Sequence, residues 1–140
     1  MLLLGCAATW QATELAHSAM SGWSTAQTLV VQDSAAFVRA WEQLYPIASF
    51  RPTLPPMDFA KNRVFIVAAG TKPTGGHRLA LSGAEVVGDS ALISVTLFTP
   101  PPGCSVSEAL TTPALAIAVP VTPIPFRIIF HERADTVRCN

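Results

Sequence analysis

The sequence predicts an α+β domain, a mainly antiparallel β-sheet of about six strands with one helix packed on it. Three observations lead there. Short apolar runs recur along the chain, several with the alternation of a half-buried strand. Only one stretch, Phe37 to Tyr45, repeats apolar residues at helical offsets. Segments rich in glycine and proline separate the runs, as turns and loops do.

The chain opens on Met1-Leu2-Leu3-Leu4-Gly5-Cys6. This stretch is similar to the end of a bacterial lipoprotein signal peptide, with Leu3, Leu4 and Gly5 in the lipobox and Cys6 as the lipidated residue. A full signal peptide has a charged start and about 7–15 apolar residues. Five residues precede Cys6, so this reading requires chain upstream; the alternative is a frayed apolar terminus. Residues 1–6 are thus the lipobox remnant, 7–26 a tether and 27–140 the globular domain. Ser18, Ser21, Gly22 and Ser24 have linker composition. Residues 13–17 are expected to form one helical turn, with Trp10 and Trp23 folding back on the domain.

Residues 28–32 read as a first strand. Asp33-Ser34 then supplies a helix cap. Phe37, Val38, Trp41, Leu44 and Tyr45 form the apolar face of that helix, and Arg39, Glu42 and Gln43 the polar side. Pro46 ends it, because proline disfavours helical geometry in the residue before it. Beyond a proline-punctuated loop at 47–56, Asp58 is placed to bond backbone donors ahead of the next strand.

Residues 64–69 are apolar on both faces, as in a central strand. Gly70-Thr71-Lys72-Pro73-Thr74-Gly75-Gly76-His77 follows, and it reads as the connection of a central β-hairpin whose return strand runs from His77 to about Val87. Lys72-Pro73-Thr74-Gly75 fits a type I turn, with proline second and glycine fourth. Gly76 permits a bulge or a close backbone approach. Gly83 marks a bulge. Gly88-Asp89 is a two-residue hairpin signal with glycine first, as a type II′ turn prefers. Ile93, Val95 and Leu97 then alternate with Ser94 and Thr96.

Three consecutive prolines, Pro100 to Pro102, break the sheet because they offer no backbone donor. Further on, Leu115, Ile117 and Val119 alternate with Ala114, Ala116 and Ala118, so something packs closely over the alanine face. Phe126, Ile128 and Phe130 form the last strand, with Arg127 and His131 on its other face.

Composition narrows the function. Of 140 residues, 50% are hydrophobic and 13% charged, and the net charge is zero; average soluble proteins are roughly 25% charged. The positive charges are scattered singly, which leaves no electrostatic footprint for nucleic acid. No apolar run approaches the roughly 18 residues of a spanning helix, so membrane attachment is expected only through a lipid on Cys6. Lipidation of Cys6 would leave Cys104 and Cys139 as an even pair, which an exported protein would oxidise. Closing that separation would stabilise the fold by roughly 3–4 kcal/mol; the alternative is two buried thiols.

The residues of a catalytic constellation are missing. There is no Gly-x-Ser-x-Gly elbow, phosphate-binding loop or His-Glu-x-x-His. His17, His77 and His131 share no metal-ligand spacing, and no carboxylates pair at an acid/base spacing. No catalytic residue, metal or cofactor is therefore expected. The candidate site is the loop itself: Lys72, Pro73, Thr74, Gly75, Gly76 and His77 as a presented partner-binding surface, with Lys72 near the tip. The competing account is a structural connection whose glycines solve a steric problem.

Met57-Asp58-Phe59 before the central strand, the Gly70-to-His77 element, Pro101-Pro102-Gly103 and a late strand ending Val119-Pro120 resemble the PrcB C-terminal domain family. Its pattern is Asp-Phe, an apolar strand, Gly-x-x-x-Thr-Gly-Gly-Tyr, a second hairpin, a Pro-Gly loop and a final pair of strands. The resemblance covers about Leu29 to Phe130, and His77 stands where the pattern has tyrosine. The family is named for a subunit of a bacterial surface protease complex, and its members are commonly exported and often lipid-anchored. The resemblance implies a non-catalytic accessory domain that binds or stabilises a protease or another protein of the bacterial cell envelope, in the periplasm or at the outer membrane. Lys72-Pro73-Thr74-Gly75-Gly76-His77 is also similar to the Asn-Pro-Thr-Thr-Gly-Tyr loop of chagasin-type cysteine-protease inhibitors, with Lys72 and Gly75 as departures. A lipoprotein that binds a small ligand is the third expectation.

Overall fold

The structure, a computed structural model, describes residues 11–135. Cys6 and Cys139 lie outside the described residues, as does Trp10. The element order is β1 (Thr13–Ser18), β2 (Gln27–Val31), α1 (Ser34–Leu44), β3 (Asn62–Ala68), β4 (Arg78–Val87), β5 (Ser90–Thr99), β6 (Ala114–Pro120) and β7 (Phe126–Ala134). The fold is mainly β with one helix, as expected. Among the described residues it has seven strands in two sheets, however, where about six in one sheet were expected. The first sheet has the order β1-β6-β3-β2 and is antiparallel throughout. The second has the order β4-β5-β7; β5 pairs antiparallel with β4 but parallel with β7.

The first sheet is the middle layer. Side chains alternate across a strand, so Val64, Ile66 and Ala68 of β3 join a core under α1, while Phe65 and Val67 join a core under the second sheet. Strand β6 divides in the same way. Its Ala114 and Ala116 meet the cluster of Trp23, Phe37 and Trp41, and its Leu115, Ile117 and Val119 meet Ile93, Val95 and Leu97 of β5. The alanine face is small because large aromatic rings lie over it. Leu97, Ile93, Leu115 and Ile117 are fully buried, each worth roughly 2 kcal/mol of apolar transfer.

Helix α1 follows its local signals. Asp33 is the N-cap, and its Oδ1 accepts from Ala36 N at 2.8 Å. Phe37, Trp41 and Leu44 are buried as expected, and Ala40 joins them. Val38 is 42% exposed instead; it sits at the edge of the stripe, where the sheet no longer covers the helix. Trp41 Nε1 donates to Pro52 O at 2.8 Å, which ties the proline-rich loop to the helix.

The stretch read as a tether is partly sheet. β1 pairs with β6 from Thr13↔Ala118 to Ser18↔Ala114, in place of the helical turn expected at 13–17. A pairing shift between Glu14 and Ala16 obscures its alternation. Trp23 does fold back and is buried. The bulge expected at Gly83 and the turn expected at Gly88 both appear: the pairing shifts between Leu81 and Gly83, and Gly88, at φ 61°, opens a two-residue β4–β5 hairpin.

Candidate functional site

The connection at 70–77 is not a hairpin. β3 already has β2 on one side and β6 on the other, so the chain cannot return beside it and crosses to the second sheet. The hydrogen bond that would close the expected type I turn is absent for a related reason. It would run from Gly75 N to Lys72 O. Instead Gly75 N donates to Ser107 O at 2.9 Å, and Lys72 O accepts from Thr111 N at 3.0 Å. The loop at 100–111 supplies those partners and outcompetes the local turn.

The two loops form one unit. Lys72 and Thr111 make an isolated antiparallel bridge. Thr74 O accepts from Thr111 Oγ1 at 2.8 Å and from His77 Nδ1 at 3.1 Å. A carbonyl only accepts, so His77 Nδ1 is the donor in this contact. At the loop's other end, Thr71 N and Oγ1 both donate to Ser24 O, at 3.0 and 3.1 Å. On the facing loop, Cys104 N donates to Pro101 O at 3.2 Å around Pro102 and Gly103, the pattern of a type II turn.

Two glycines are dictated by this packing. Gly70 has φ 81°, and a Cβ there would lie 3.0 Å from Ala26 N. Gly76 has φ 85°, and its Cβ would lie 3.1 Å from both Pro100 Cβ and Val106 Cγ1. Left-handed backbone and close approach coincide at both positions, and only glycine satisfies both.

Of the predicted site residues, Pro73 and Gly76 are exposed, while Lys72, Thr74, Gly75 and His77 are half-buried. Lys72 is a bridge residue, and Pro73 is the exposed residue beside it. No sequence pattern marks Thr111, Ser107 or Ser24 as partners, because each belongs to a segment remote in the chain. Leu110, 63% exposed, and Glu108 extend the same surface on the facing loop. Such a surface can bind a protein. Among the described residues, no three of the His, Cys, Asp and Glu side chains gather as a metal site would require, and no helix is long and apolar enough to cross a membrane.

A second concavity lies elsewhere. His17, Ser18, Ala19, Met20, Tyr45, Pro46, Ile47 and Phe50 line an open apolar groove of about 590 Å³. Tyr45 Oη donates to His17 O at 3.0 Å across it, and burial raises the pKa of the phenol. Half of this groove comes from the stretch read as a tether, so no sequence pattern announced it.

A family model described as PrcB C-terminal matches residues 63–120. That span runs from β3 through β6 and contains both loops; it is narrower than the resemblance read from the sequence. Searches of curated proteins and of solved structures gave no match.

Proposed function

We propose that this chain, PrcB C-terminal in sequence over residues 63–120, is an exported accessory module of the bacterial cell envelope. It has no catalytic activity of its own, is held at the membrane by a lipid on Cys6, and binds and stabilises a protease partner. The observation that carries the reading is the family match, since the family is named for a subunit of a surface protease complex. The match also contains the 70–77 and 100–111 loops, whose mutual hydrogen bonds make them a firm docking surface rather than two mobile loops. A Cys104–Cys139 disulfide belongs to the same reading. Asp135 N donates to Thr99 O, so the tail departs beside the loop that carries Cys104. Four further residues reach up to about 13 Å.

Capture of the anchored protein from solubilised envelopes tests this. A protease-complex component should come through with the native chain and be lost with Lys72→Glu. Recovery without any protease would refute the partner, and equal recovery with Lys72→Glu would move the docking surface away from the loops.

The groove beside Tyr45 favours a second reading, a small apolar ligand bound between β1 and the loop after α1. Native mass spectrometry of the purified chain should then show a non-covalent adduct that Ile47→Asp abolishes.

A further inference from the structure

The two sheets leave four strands with a free edge: β1 and β2 in the first, β4 and β7 in the second. A free edge is a template for another strand, and proteins blunt it with bulges, charges or cover. Three of the four are blunted. The pairing shift at Glu14/Ala16 interrupts β1, and the Tyr45 hydroxyl occupies its His17 carbonyl. β4 has its own shift at Leu81/Gly83 and carries Arg78 and Glu85. β7 carries Arg127, His131, Glu132 and Arg133.

β2 has none of these devices. Its five residues, Gln27–Val31, hold no charge and no proline, and the β2–β3 pairing is continuous. Among the described residues, no backbone hydrogen bond outside the β2–β3 ladder involves Gln27–Val31. In an antiparallel ladder, every second residue turns its N–H and C=O outward, so this edge presents unpaired donors and acceptors.

Among the described residues, nothing covers this face of β2 either. Leu29 and Val31 pack toward α1, so Thr28 and Val30 point toward the second sheet. That sheet has three strands against four, and its β4 lies against β1 and β6 at the opposite side. Val30 is left 51% exposed and Thr28 exposed as well. The edge and the apolar ledge coincide.

We propose that β2 is a self-association surface, where a second copy of this chain pairs its own β2 antiparallel and joins the two four-stranded sheets into one. The charge pattern selects this occupant. A twofold interface places each residue against its own copy's neighbours, and most charged surfaces repel themselves when so copied. Residues 24–32 hold no charged side chain. Pairing centred on Leu29 sets Thr28 opposite the copy's Val30 and Asp33 opposite Thr25, so no like charges meet. The uncovered valine is buried by the same contact. A five-residue ladder is a small interface, so the dimer is a weak one that forms and dissociates with concentration.

Sedimentation equilibrium of the full chain from micromolar to millimolar concentration is the test. The mass should rise from one chain toward two, with amide protection in β2 rising alongside it. Val30→Lys sets two like charges on diagonal positions and should weaken association by about tenfold. Val86→Lys, at an exposed valine on β4, should leave association unchanged. Emission from the buried Trp23 and Trp41 reports whether a variant keeps its fold, and Thr28→Lys serves if Val30→Lys does not. A single-chain mass at millimolar concentration overturns the proposal. So does a dimer that both lysine variants leave intact, or β2 protection already complete in the dilute single chain, which would mean that another segment covers the edge.

Discussion

Lys72 and Thr111 hold each other by two backbone hydrogen bonds, Lys72 N to Thr111 O at 2.7 Å and Thr111 N to Lys72 O at 3.0 Å. Thirty-nine residues apart in the chain, they join the crossing loop to the loop before β6. The bridge, the side chain of Thr111, which is 8% exposed, and the bond from Gly75 N to Ser107 O together fix the candidate docking surface.

Thr111→Val keeps the bridge and the shape but removes the hydroxyl that donates to Thr74 O. The carbonyl retains the His77 ring donor, so it is not left bare. The expected cost is about 1 kcal/mol, read as a lower urea midpoint with an unchanged slope. Faster exchange of the Lys72 and Gly75 amides should accompany it.

Gly76→Ala and Gly88→Ala separate backbone cost from crowding. Both glycines have positive φ, 85° and 61°. A Cβ at Gly88 meets nothing within 4 Å, whereas at Gly76 it meets Pro100 and Val106 at 3.1 Å. Gly88→Ala should cost about 1–2 kcal/mol, the left-handed penalty alone. Gly76→Ala should cost about 1–3 kcal/mol more, because a packed loop must shift. Equal urea midpoints for the two variants would show that the 100–111 loop yields freely.

These two positions show what was legible in the chain. Gly76 could be read as a site of close approach, because glycine beside glycine has few other uses in a short loop. What approaches it could not be read, since Pro100 and Val106 belong to a loop remote from it in the chain. Helix α1 was legible because its cap at Asp33, its apolar stripe and its stop at Pro46 all lie within one short segment. The split into two sheets was not. Apolar strands on either side of a turn-rich loop look like a hairpin from within. Only the claims of β2 and β6 on both edges of β3, set by residues far along the chain, force β4 elsewhere. The strand β1 was hidden because its partner β6 lies about a hundred residues away and its pairing shift breaks the two-residue period.

Tyr45 links stability to alkaline pH. Burial raises its pKa above the ordinary value of 10.0. The unfolded chain therefore releases the proton first, and the folded state binds more protons above pH 10.0. The stability contribution is fully present below that pH and is lost as pH rises from it through the folded-state pKa. The comparison that isolates this group is with Tyr45→Phe. That variant should show a shallower loss of stability above pH 10.0. It should also be slightly less stable at neutral pH, where the bond to His17 O is gone.

Cys104→Ser tests the C-terminal clasp. The β5–β7 pairing runs to Thr99↔Ala134 and is extended by Asp135 N on Thr99 O. Arg78 sits 3.7 Å from Asp135 and 4.2 Å from the centre of the Phe98 ring, so the end of β7 is already gathered beside the loop of Cys104. A covalent link there adds little new order to the folded state and acts mainly by restricting the unfolded chain. Unreduced peptide mapping of protein prepared under oxidising conditions should recover Cys104 joined to Cys139. Cys104→Ser should lower stability by roughly 3–4 kcal/mol, and a reductant should lower the native chain to the same level while leaving the variant unchanged. If reductant destabilises the variant as well, the stabilising bond lies elsewhere.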